Sequence, residues 1–226
     1  MTNDGTEELA AIGQALSISL SGGRFDEAEG HCRRLIALAP DNAEAWLNLG
    51  FVLRAQRRFE GALDAYDLAI GLGLAQVEDA HVNRAAILSE HLQNADLALD
   101  ELGRALAANP QSLPALANLA QLQEDCGLTD EAESSYRRIV DLHPGHGRAR
   151  ARLAGFALRK GQVQDAITGL QHGARIVSAG SDDQAEVVMA LGQAYEAAGQ
   201  FELAFAAYQM ANDIVRRVTP QSRQYR

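Results

Sequence analysis

The chain is poor in the residues from which reactive sites and cross-links are built. Its 226 residues include only two cysteines, Cys32 and Cys126, too far apart in sequence to suggest a disulfide framework, so a reducing compartment is expected. Proline occurs five times and tryptophan once, and Lys160 is the only lysine among 20 basic residues. Positive charge is outnumbered by 30 Asp and Glu, giving a formal net charge of −10 and a pI near 5.0. Such a chain repels phosphate backbones, which argues against nucleic acid as a general partner. No stretch approaches the roughly 18 consecutive apolar residues of a membrane span. The opening MTNDGTEELA has neither a basic leader nor an apolar signal core. The expectation is a soluble, cytoplasmic protein that associates with no membrane, and the 47% hydrophobic content is enough to fold.

Catalytic motifs are equally scarce. GLGLAQ (71–76) has two glycines and no third, and no GxxxxGK[ST] phosphate loop occurs. His143 and His146 flank Pro144 without a cysteine or carboxylate cluster, so they read as surface residues rather than metal ligands. Cys32 occupies a place suited to packing, and Cys126 has no activating histidine near it in sequence. The reading is a non-enzymatic protein with no cofactor and no metal.

What the sequence does have is an internal period. Ala28, Ala62, Ala98, Ala132, Ala166 and Ala204 recur at separations of 34, 36, 34, 34 and 38 residues. Four residues after each anchor alanine stand Cys32, Tyr66, Leu102, Tyr136, Leu170 and Tyr208, all able to fill a core. Five before it stand Gly23, Arg57, Gln93, Gly127, Gly161 and Gly199, and twelve after it come Pro40, Pro110 and Pro144. Glycine permits the positive φ of a tight turn and so ends a first helix. Acidic residues beside the anchor suit the N-terminus of a second helix, and proline closes that helix. Small residues such as Gly50 and Ala62 then let two antiparallel helices approach, with the residue four places on filling the gap.

This pattern resembles the tetratricopeptide repeat, W-x2-L-G-x2-Y, then A-x3-F, then P. Residues 43–76 match it best through Trp46, Leu49, Gly50, Leu53, Ala62, Tyr66 and Ala69, and residues 185–218 nearly as well. The resemblance implies an all-α, right-handed α-solenoid of about six helix-turn-helix units at 9–42, 43–78, 79–112, 113–146, 147–184 and 185–218. Short tails remain at 1–8 and 219–226. First helices are expected to line a concave groove, and Trp46 to sit in the core.

Two passages carry a narrower resemblance. Residues 81–127 and 190–217, the latter with its A-F-x-x-Y-x-x-A-N ending, are similar to the repeat region of bacterial tetratricopeptide-repeat sulfotransferases. That likeness implies, as an alternative, a substrate-orienting region whose catalytic domain is absent from this chain.

The groove face follows from helix geometry. Two residues beyond the Trp46 place is a rotation of about 200°. The positions so defined are Gln14, Asn48, Arg84, Asn118, Arg152 and Ala190, with Phe51, Ile87, His91, Gln121, Arg148, Arg159 and Gln193 as neighbours. Asn can satisfy both donors and acceptors of an extended peptide, and Arg grips carboxylates in a two-pronged contact. The expected partner is therefore a protein or peptide held by Asn48, Phe51, Arg84, Ile87, Asn118, Gln121, Arg148 and Arg152. An acidic ligand near Arg84, Arg148 and Arg152 is the narrower form. Asn118, Arg148 and Arg152 look like the last three members of the two-carboxylate clamp of chaperone-binding repeat domains, but Asn83 and Ile87 stand where its first Lys and Asn belong. A third expectation is self-association through open solenoid ends.

Overall fold

The structure, a computed structural model, describes residues 3–218, and the expected tail at 219–226 lies outside them. The described residues form twelve α-helices and no strand. The chain divides into two compact units, Met1–Asn118 and Leu119–Arg226. The first holds α1 (Asn3–Ser21), α2 (Phe25–Leu38), α3 (Ala43–Ala55), α4 (Phe59–Gly71), α5 (Val77–Glu90) and α6 (Ala95–Ala108). Helix α7 (Leu113–Asp125) spans the division. The second unit continues with α8 (Thr129–Leu142), α9 (Gly147–Arg159), α10 (Val163–Ile176), α11 (Asp182–Ala197) and α12 (Phe201–Val218). Residues 3–8, expected as tail, are instead the beginning of α1. No helix among the described residues is long and apolar enough to cross a membrane.

Each repeat is bounded by local chemistry. Two residues after each junction proline a side chain caps the following helix: Asn42 Oδ1 accepts from Ala45 N, Ser112 Oγ from Ala115 N, and His146 Nδ1 from Ala149 N. His146 is thus a helix cap, which accounts for the second histidine of HPGH. The turn between paired helices is equally fixed. All six residues standing five before the anchor alanines have positive φ, between 50° and 75°, including the non-glycines Arg57 (62°) and Gln93 (50°). The sequence offset alone marks these left-handed residues.

Inside a repeat, the anchors Ala28, Ala62, Ala98, Ala132, Ala166 and Ala204 are all buried. The contact that sets helix separation is Gly50 against Tyr66, where a Cβ on Gly50 would come within 2.5 Å of Tyr66 Cε1. Gly192 and Tyr208 repeat it at the same 2.5 Å. Trp46 is not central: it is half-buried at the rim of the first unit's core, and its Nε1–H donates to the Pro40 carbonyl at 3.0 Å. Arg150 holds the equivalent place in α9, and its Nε–H donates to the Pro144 carbonyl at 2.7 Å. An indole and a guanidinium do the same job because each directs an N–H at the proline carbonyl from a similar reach.

Consecutive repeats are joined along a recurring seam. In the first unit α2 packs on α3 and α4 on α5; in the second α8 packs on α9 and α10 on α11. Phe25, at the start of α2, meets Phe51 edge-on at 6.4 Å, and Phe59, at the start of α4, stacks on His91 at 4.0 Å. One residue after the anchor, buried Glu29 accepts from Arg58 at 2.6 Å and Gln56 at 3.0 Å, both in the next turn. Glu133 stands at the same place in α8 and accepts from Lys160 at 2.6 Å. At this place in α10 Ile167 is buried.

Two substitutions test the frame. Gln93→Gly relieves a left-handed side chain and should raise stability by about 0.5–1 kcal/mol, net of the flexibility it adds to the unfolded chain. Gly192→Ala forces a methyl into the Tyr208 ring and should cost about 1–3 kcal/mol. Urea unfolding followed by circular dichroism measures both, and equal midpoints for the two variants would contradict this packing.

Candidate functional site

The face predicted to bind divides into residues the fold consumes and residues it leaves accessible. In the first unit α3 and α5 pack together, and Asn48 and Arg84 hold the same repeat position on them. Asn48 is half-buried and Asn118, on α7, is exposed. Ile87 does not belong to the face. It is 0% exposed, within the first unit's core beside Ala80 and Leu74, so it is corrected from ligand contact to packing residue. His91 is likewise taken up by its stacking on Phe59. Phe51 is partly open to solvent, but its ring edge is committed to Phe25.

Arg84 is also corrected. Its guanidinium pairs with Asp67 of α4, and its Nε–H donates to Glu101 Oε2 at 3.0 Å. Glu101, on α6, is 4% exposed and further pairs with His81 Nδ1 at 2.7 Å and Arg104 Nη1 at 3.1 Å. Burial pushes the Glu101 carboxyl up, but the bonds from His81 and Arg84 and the Arg84 charge outweigh it and hold the group below its ordinary value. Arg84 therefore neutralises a buried acid of its own fold. Both partners lie 17 residues away, half a repeat, which is the separation that brings neighbouring helices together. That spacing is the signal by which the network could have been found.

In the second unit the arginines are arranged differently. Arg148, Arg152 and Arg159 of α9 line a cleft of about 680 Å³ whose other wall includes Glu186, Met189 and Gln193 of α11. Arg152 and Ala190 occupy the same repeat position on these two helices, and both line the cleft. Glu124 of α7 lies behind the arginines, 3.7 Å from Arg152 Nε and 3.9 Å from Arg159 Nη2. Those distances order the charges but are too long for hydrogen bonds, so the N–H donors keep their capacity. The Tyr136 hydroxyl donates to Glu124 at 3.2 Å. Burial, then the Glu124 charge, pushes that phenol up to about 12. Arg159 also lies 4.5 Å from the centroid of the Phe156 ring, which fixes its guanidinium further. Arg148 Nη2–H donates to Gln121 Oε1 at 3.2 Å, which joins two predicted residues directly. Glu124, Glu186 and Met189 escaped sequence reasoning because a rotation rule applied to one helix does not see the wall opposite.

Comparison with known proteins agrees with this architecture. A family model described as tetratricopeptide repeat matches residues 19–81 and 83–145, together more than half of the chain, and a second of the same description matches 127–177. Among solved structures, pilF of Pseudomonas aeruginosa superposes with a TM-score of 0.74 at 16% identity, covering 97% of this chain and 96% of that one. A tetratricopeptide repeat protein from Parabacteroides merdae gives 0.67 at 19% identity over 95% of this chain and 81% of that one. YrrB, described as a tetratricopeptide repeat protein with an unusual peptide-binding site, gives 0.54 at 20% identity, with coverages of 86% and 88%. At these identities the likeness is one of fold.

The Glu101 network predicts a pH signature. Because the folded-state value of Glu101 is lowered, its stabilisation is complete above the unfolded carboxylate's ordinary 4.5 and is lost as pH falls through the folded value. Glu101→Gln should cost on the order of 3 kcal/mol at neutral pH, as for a buried ion pair losing one member. The gap between variant and native chain should narrow below pH 4.5, as read by urea unfolding at each pH; a constant gap would contradict the assignment.

Proposed function

Since the chain belongs to the tetratricopeptide repeat family, whose members mediate protein–protein interactions, we propose that it is a scaffold holding an extended acidic peptide in the arginine cleft of its second unit. The observation that carries this reading is the contrast between two sets of arginines. Arg84 is bound by Glu101 and Asp67, whereas Arg152 and Arg159 meet Glu124 only at 3.7 and 3.9 Å. A chain of net charge −10 that gathers three arginines around one cleft presents an electropositive surface against its own average. Such a surface attracts acidic segments.

The chemistry of binding follows from the lining. A ligand carboxylate would take Arg152 and Arg148, four residues apart on one helix face, in charge-assisted bonds. Gln193 offers a donor and an acceptor to a peptide backbone, and Met189 offers an adaptable apolar contact for the side chain between. Peptide binding is also what is described for YrrB, a neighbour in fold. The reading assigns no bond-making step to any residue: holding the partner is the function.

The test is titration of a fluorescent peptide of alternating glutamate and apolar residues against the intact chain. Arg152→Glu should weaken binding at least about tenfold, the effect of losing one charge-assisted bond of roughly 1.5–3 kcal/mol. Added salt should weaken the native complex. Unchanged affinity in the variant, or indifference to salt, would refute the site.

A further inference from the structure

We propose that α12 of one copy docks onto α1 of a second, so that copies of this chain join head to tail through the seam that joins consecutive repeats. The places along that seam are covered at the pairs α2 on α3 and α4 on α5 of the first unit and α8 on α9 and α10 on α11 of the second, and they are bare on α12 and α1. Phe201 of α12 stands where Phe25 and Phe59 stand in α2 and α4; those two rings are met by Phe51 and His91 of the following repeat, whereas Phe201 is 70% exposed. Phe205 stands one residue after its anchor, the place of buried Glu29 and Ile167, and is 64% exposed. Large apolar rings at places that a next first helix covers elsewhere form a surface shaped for a first helix.

Helix α1 is a first helix with the matching face uncovered. Ile18 holds the place of Val52, Leu88, Phe156 and Ala194, all buried, yet it is 55% exposed. Ala11 holds the place of the buried Ala45, Ala115, Ala149 and Val187, and is itself exposed. The two faces are complementary in size, bulky Phe201 and Phe205 on one and Ala11 with Ile18 on the other. They are also complementary in charge. A second helix and the first helix that follows it run antiparallel, which sets the C-terminal end of α12 beside the N-terminal end of the incoming α1. The former carries exposed Arg216 and Arg217, the latter Glu7 and Glu8. A copy of the chain therefore supplies both the shape and the charge that α12 requires. The contact joins unlike faces, so it propagates instead of closing on itself as a twofold pair would.

Sedimentation velocity of the intact 226-residue chain over a wide concentration range tests this. The native chain should form species beyond the dimer as concentration rises. Phe201→Glu with Phe205→Glu should give a monomer, and so should Ile18→Glu, each with unchanged helical circular dichroism because the altered side chains are exposed. Mixed in equal amounts, the two blocked variants should recover a dimer and nothing larger, since each keeps one intact face. Arg216→Glu with Arg217→Glu should weaken assembly, and Glu7→Arg with Glu8→Arg in the same chain should restore it. A native chain that stays monomeric would overturn the proposal. So would association lost in the α12 variant but kept in Ile18→Glu, which would indicate a twofold α12 contact. Blocked variants that fail to pair on mixing, or a charge swap that fails to rescue, would overturn it as well.

Discussion

Everything else in the molecule depends on how closely two helices of a repeat can approach, and one pair of positions sets that distance. Twelve residues before each anchor and four after it stand Leu16 with Cys32, Gly50 with Tyr66, Ala86 with Leu102, Ala120 with Tyr136, Ala154 with Leu170 and Gly192 with Tyr208. Where one member is large the other is small. Tyr66 and Tyr208 face glycine with no room for a methyl, and Leu16 faces the small Cys32. The summed volume is kept roughly constant while the identities vary, as close packing requires. With that separation fixed, the turn residue must take a left-handed backbone, and the junction proline and its cap fall into register.

This is why so much of the fold was legible. The offsets at which alanine, the turn residue and proline recur are consequences of one crossing geometry, and Arg57 and Gln93 obey the turn rule although neither is glycine. The binding face was less legible because a single-helix rotation argument cannot tell which side chains their neighbours have claimed. Arg84 and Arg152 share a repeat position and chemistry, and the close pairing of Arg84 with Asp67 and buried Glu101 separates their fates. Ile87 and Gln121 also share a position, yet the first is core and the second reaches Arg148. Trp46 was misplaced for a different reason: the most conspicuous residue of the motif serves the Pro40 carbonyl at the rim.

The narrower likeness to sulfotransferase repeat regions rests on residues that repeat packing already accounts for. In the A-F-x-x-Y-x-x-A-N ending, Ala204 and Ala211 are buried and Tyr208 lies against Gly192. Those three letters are set by α11 against α12, whatever the chain binds. Phe205 and Asn212 are the members left exposed, and Phe205 belongs to the exposed seam of α12.

The exchange of Trp46 for Arg150 has an evolutionary corollary. A position that asks only for one N–H directed at a proline carbonyl can pass between a neutral ring and a permanent cation while the backbone around it stays put. The repeats that hold Trp46 and Arg150 thereby share a site where charge can change by one unit with little structural penalty, whereas the same place after Pro110 is the buried Leu116. The electrical character of those two repeats can then drift independently of their architecture.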